Sequence, residues 1–236
     1  MKRCLALAIL LLSFGCVAQE IPSGTILPVA LTTAINSRKA RAGEAINARL
    51  MQPVDLGNGR KFAAGTRVQG RVLSVDSNRV TITFDRIVLH GQAMPIHTNL
   101  RALASMMDVH DAQLTTNIAG GDYGSSIQDW TTNPVGGGVL YNPYGGELYE
   151  GNTVIGRSYN GGVIAKPMAA SACRGDLGTE RDQAFWVFSP AACGLYGFDK
   201  LGIVHAGRND PVGQITLQSQ QRFVIRGGSG MLLRVN

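Results

Sequence analysis

The stretch from Thr66 to Leu89 holds two apolar alternations, and each changes phase once. In VTITF, Val80, Ile82 and Phe84 share one face while Thr81 and Thr83 share the other, which is the period of a half-buried strand. After Asp85 and Arg86 the apolar positions fall on Ile87 and Leu89, one residue out of step. The preceding TRVQGRVLSV does the same, from Val68 and Val72 to Leu73 and Val75, with Gly70 near the change. A one-residue slip turns the apolar set to the opposite face of a strand unless a bulge or bend absorbs it. Two such strands joined by the turn Asp76-Ser77-Asn78 predict a hairpin that curls, as strands must when a sheet closes.

Further along, AFWVF (Ala184–Phe188), LGIVH (Leu201–His205), QITLQ (Gln214–Gln218), RFVIR (Arg222–Arg226) and MLLRV (Met231–Val235) are short and bounded by turn residues. Evenly spaced short strands of this kind predict a mainly β chain of barrel- or sandwich-like antiparallel sheets. The helical signal is confined to Asn99–Leu114, where Leu100, Leu103, Met106 and Met107 approximate helical spacing, so one short helix at most is expected. Residues 119–162 carry twelve of the thirty glycines and five of the six tyrosines, a density that favours a long loop or linker.

The chain opens MKRCLALAILLLSFGCVAQE: Lys2 and Arg3, an apolar run from Leu5 to Leu12, then small residues. This reads as a secretory signal peptide over residues 1–18, and no later stretch reaches the roughly 20 apolar residues of a membrane-spanning helix. The expected location is the bacterial periplasm or outer envelope. A lipid anchor at Cys16 is the weaker route, because Ser13 stands where a lipoprotein signal usually has Leu. Beyond the leader, Cys173 and Cys193 are an even pair in an oxidising compartment and are expected to form a disulfide. Charge is uneven: residues 19–101 carry 11 Lys/Arg against 5 Asp/Glu, whereas residues 102–236 carry 9 against 11. A basic excess of this kind suits an anionic partner or a solvated sheet face.

A half-repeat organises the amino-terminal part. Ser23-Gly24-Thr25 leads into ILPVAL, and Ala64-Gly65-Thr66 leads into RVQGRV. Glycine supplies a backbone conformation that other residues resist, and threonine then begins a strand, so Gly24, Thr25, Gly65 and Thr66 read as strand-entry motifs. The order IPSGTILPVALTTAINS, AGEAINARL, DLGNGRKFAAGTRVQGRV and RVTITFDRIVLHGQAMPI resembles the C-terminal β-barrel domain of the TrbI-like conjugation family, subunits of type IV secretion channels. The resemblance covers about residues 21–100, with Phe62-Ala63 standing where the family tends to have Ile-Pro. It implies a TrbI-like module over residues 19–118, followed by the Gly/Tyr-rich segment 119–162 and a C-terminal β region 163–236 that either stands alone or completes the same domain.

No catalytic constellation rises above background. His110 between Asp108 and Asp111 is the one local histidine cluster and reads as a polar loop histidine, with an unrecognised hydrolase as the remote alternative. Gly227–Met231 lacks the second glycine of a nucleophile elbow, and no phosphate-binding loop or dinucleotide fingerprint is present. The expectation is an exported, non-enzymatic envelope protein without cofactor or metal, acting through contacts with other envelope proteins or as a homo-oligomer. Neither a nucleic acid nor a small molecule is clearly indicated as partner. The alternative is a ligand- or glycan-binding protein in which Tyr123, Trp130, Tyr141, Tyr144, Tyr149 and Tyr159 supply stacking faces.

Overall fold

The computed structural model describes residues 21–236 apart from 77, 115, 118–129, 138–141, 143–144, 151, 171–172, 175–180, 205 and 208–211. The leader with Cys16, and Tyr123, Tyr141 and Tyr144, lie outside the described residues. The strands of the two larger sheets are β1 (Ile26–Leu31), β2 (Ala45–Leu50), β3 (Arg67–Asp76), β4 (Arg79–Leu89), β5 (Gln92–Pro95), β6 (Thr98–Ala104) and β7 (Gly146–Glu150). They continue with β8 (Thr153–Tyr159), β9 (Gly162–Ala165), β10 (Gln183–Trp186), β11 (Gly194–Tyr196), β12 (Leu201–Val204), β13 (Ile215–Ser219) and β14 (Gly230–Val235). One short helix, α1 (Met106–Asp111), follows β6.

The chain is mainly β. Its first sheet runs β11-β6-β14-β1-β2-β3-β4-β13-β12, with β5 on the free half of β4, and curls into a nearly closed barrel. Closure comes where β4 meets the start of β6: Thr98 Oγ1 donates to Phe84 O at 3.0 Å, and the Ile96 N–H to Asp85 O at 2.9 Å. The curl has an identifiable source. The β3–β4 register skips Asp85 on one strand and Leu73 on the other, the two places where the apolar phase changes. Ile87 and Val75 therefore still reach the interior beyond each bulge.

Leu27, Val29, Ile46, Val68, Ile82, Phe84, Leu100 and Leu233 are among the side chains that fill the barrel, so the interior is a packed core. Each such side chain stabilises by roughly 1.5–3 kcal/mol relative to exposure. The second sheet, β7-β8-β9-β10, covers the outside of β1, β14 and β6. There Ile26, Ala30, Ala102 and Leu232 pack against Leu148, Val163, Ala165 and Phe185. Strands β1 and β6 are thus buried on both faces, which explains their unbroken burial and the weakness of any alternation in Asn99–Leu114. Helical spacing there marks only the residues after Ala104; Thr98–Ala104 is a strand.

Part of the segment read as a long loop is ordered sheet, since β7 and β8 form a hairpin between Gly146 and Tyr159. The disulfide Cys173–Cys193 is formed and closes a loop of 20 residues, worth about 3 kcal/mol in the chain-entropy picture. Beside it lies Arg101, a bulged residue of β6 that is fully buried. Its guanidinium donates to the carbonyls of Met168 at 2.7 Å, Ala192 at 2.9 Å and Pro190 at 3.0 Å.

Both half-repeat motifs enter a strand by the same turn. Gly24 and Gly65 have φ of 83° and 84°. The following threonine donates its hydroxyl to the carbonyl three residues back, Thr25 to Pro22 at 2.6 Å and Thr66 to Ala63 at 2.7 Å. A glycine at the third position and a backbone bond closing the turn are the marks of a type II turn.

Candidate ligand cleft

Two hairpins with the same turn chemistry form the walls of a cleft beside the barrel. Strands Val54–Gly57 and Arg60–Phe62 join through Asn58-Gly59, and β8 joins β9 through Asn160-Gly161. All four turn residues have positive φ: 55° and 73° in the first pair, 50° and 73° in the second. Asn-Gly at this spacing is the strongest short-range hairpin signal, because both residues accept the left-handed backbone that matches strand twist.

The second sheet is fixed to the barrel by two buried side-chain amides. Gln52 accepts the Trp186 N–H at 2.8 Å and donates to Tyr159 O at 2.9 Å. Gln183 accepts the Ile26 N–H at 3.1 Å. Gln52 bridges two backbone groups of the second sheet, and a buried bond of this kind is costly to leave unmade.

The cleft so formed has a volume of about 580 Å³. Asp55, Arg60 and Lys61 line the barrel side; Tyr159, Asn160, Ile164 and Ala184 line the sheet side. Arg157 and Asp182 pair at 3.2 Å on its border, and both also line an adjoining hollow that includes Glu147, Val154 and Lys166. The outer face of the second sheet is thus a continuous surface of two hollows meeting at one ion pair. Tyr159, Val154 and Tyr149 are about half exposed on it, at 52%, 49% and 46%. Tyr149 donates to Glu147 Oε2 at 2.5 Å. That hydrogen bond, followed by the nearby carboxylate charge, pushes the Tyr149 hydroxyl above the usual phenol range.

The structure places the sequence candidates unevenly. Tyr159 lines the cleft and Tyr149 stands on the same sheet face. The backbone of Trp130 lies in the short strand Trp130–Thr131, paired with Thr116–Asn117. Asp55, Arg60, Lys61, Arg157, Asn160 and Asp182 were not singled out from sequence; the two Asn-Gly pairs were the available signal. His110 sits on α1 and not in a loop. Asp108 is occupied in capping that helix: its N–H donates to Ser105 Oγ at 3.1 Å, and its carboxylate accepts from the same hydroxyl. Among the described residues no group of three or more His, Cys, Asp and Glu is arranged to hold a metal ion. No helix among them is long and apolar enough to cross a membrane.

Chemically, the cleft offers hydrogen-bond donors and acceptors of both charge signs around one exposed aromatic ring. Set against known proteins, the chain matches no family model, no curated protein and no solved structure, so its chemistry rests on this geometry.

Proposed function

We propose that the chain is an exported, non-catalytic protein of the bacterial cell envelope, a TrbI-like β module that works through protein-protein contacts in a secretion- or conjugation-type assembly. The observation that supports this reading is the filled barrel. A nearly closed sheet whose interior is packed with Leu27, Val29, Ile82, Phe84 and Leu233 directs recognition to the outer surface. Native mass after gentle detergent release, with identification of whatever travels with the protein, tests it. A large complex containing other envelope subunits is the expected result. A lone monomer would end the assembly reading and leave the barrel as a scaffold.

The cleft favours a second reading, a ligand-binding protein for saccharides. A sugar ring presents an apolar CH face that an exposed Tyr159 can stack, and hydroxyls that both donate and accept, as Asp55, Asn160, Asp182 and Arg157 require. Titration with a panel of neutral and amino-sugar oligosaccharides should show binding that Tyr159→Ala weakens about tenfold or more. Equal affinity in the variant would remove the cleft from consideration.

A further inference from the structure

The antiparallel register of β2 and β3 sets Arg49 directly opposite Arg67. Both side chains are exposed, with the interior residues Ala48 and Val68 beside them. Like charges opposed on one face of a sheet destabilise the pair, so folding alone does not account for this arrangement. On the same outer face Arg71 and Arg86 share the carboxylate of Asp85. Arg49 and Arg67 have no acidic partner among the described residues.

Arg67 has a second basic neighbourhood. With Lys61 and His90 it lines a hollow of about 440 Å³ whose other walls are glycines and small or half-buried apolar side chains, with no carboxylate among them. His90 is held there by the turn joining β4 and β5, where His90 and Gly91 have φ of 48° and 83°. Three cationic or cation-capable side chains and the opposed Arg49 therefore converge on one corner of the barrel, within the half of the chain that carries the basic excess.

We propose that this corner, formed by Arg49, Lys61, Arg67 and His90, is a phosphate-recognising surface that docks the protein on a bilayer bearing anionic phosphate headgroups. Guanidinium groups bind phosphate oxygens in bidentate fashion and are weakly hydrated, which suits a headgroup layer. Arg49 and Arg67 stand on adjacent strands about 4.8 Å apart laterally, with Lys61 and His90 beside Arg67, a spread that fits a two-dimensional array of charges better than one isolated anion. Among the described residues of β2 and β3 no Phe, Tyr or Trp stands on this face to stack a base, which disfavours single-stranded nucleic acid. The proposal rests on the surface of this chain and not on the TrbI-like reading, and it shares Lys61 with the saccharide cleft.

The test is co-sedimentation of the disulfide-bonded protein with phosphatidylcholine vesicles, with and without phosphatidylglycerol, at low and high salt. Binding is expected only with phosphatidylglycerol and is lost at high salt. Arg49→Ser combined with Arg67→Ser should lower partitioning roughly 25-fold, about fivefold per arginine. The melting temperature of that variant should stay unchanged or rise by about 1–3 °C, because the opposed charges are relieved. A control that removes the same charge elsewhere, Arg222→Ser with Arg226→Ser, should keep most of the binding. The proposal is overturned by equal binding to both vesicle types, by an equal loss in the control, or by a fall of several degrees in the melting temperature. Binding of inorganic phosphate without binding to phosphatidylglycerol vesicles also overturns it, since the site would then serve a free anion.

Discussion

Arg101→Met is expected to lower the stability of the protein by about 4 kcal/mol, which is a large part of what a domain of this kind has. The reason is the place of the guanidinium. It is fully buried at a bulge in β6 and donates to the carbonyls of Met168, Pro190 and Ala192. Methionine fills much of the volume but offers no donor, so these carbonyls lose their partner in a dry environment. Lysine keeps the charge but loses the planar fork that reaches several oxygens at once, so Arg101→Lys should recover little. Urea unfolding monitored by tryptophan fluorescence reads the effect as a lower midpoint at unchanged slope. A loss below about 1 kcal/mol would show that the carbonyls find other donors.

Gly70→Ala should be nearly as damaging, at about 3 kcal/mol or more. An added Cβ would lie 1.8 Å from Thr83 O and 2.9 Å from the Cα of Phe84. Those atoms belong to the paired strand, so no side-chain rotation relieves the clash, and the β3–β4 ladder has to open beside its bulge. Gly65→Ala provides the contrast: a Cβ there meets nothing within 4 Å, and only the positive φ of 84° is strained. Its expected cost is about 1 kcal/mol. Parallel thermal melts of the two variants decide the point; equal shifts would mean that Gly70 acts through conformation and not through space.

The most legible part of the fold was the pair of bulged strands. Phase changes at Leu73 and Asp85 appear in the sequence because one face of β3 and β4 carries polar side chains, the buried Thr81 and Thr83 included, and alternation records which face that is. Strand β6 hid for the opposite reason. With Leu100 and Leu103 inside the barrel and Ala102 and Ala104 under the second sheet, both faces are apolar and the period disappears. Arg101 in the middle of that run carries no local sign of its burial, since nothing nearby announces the three carbonyls supplied by residues 168, 190 and 192. Glycine density concealed the β7–β8 hairpin, although Leu148 and Ser158 face inward there. The cleft was legible only in fragments, Tyr159 and two Asn-Gly turns: its walls come from residues 53–64, 157–164 and 182–184, and only tertiary folding brings Asp55 near Tyr159.

The position of β14 constrains how the barrel can close. It is the sole ladder between β6 and β1 in the large sheet, pairing Met231 with Leu103 on one side and with Val29 on the other. Until residues 230–235 have been synthesised and delivered, the amino-terminal strand has half its partners and the barrel cannot shut. Contacts as distant in sequence as those of β1 with β14 also carry a high loop-closure entropy. The barrel is thus kept open until β14 arrives, and on the reading proposed above that open chain is the state that would thread through the membrane.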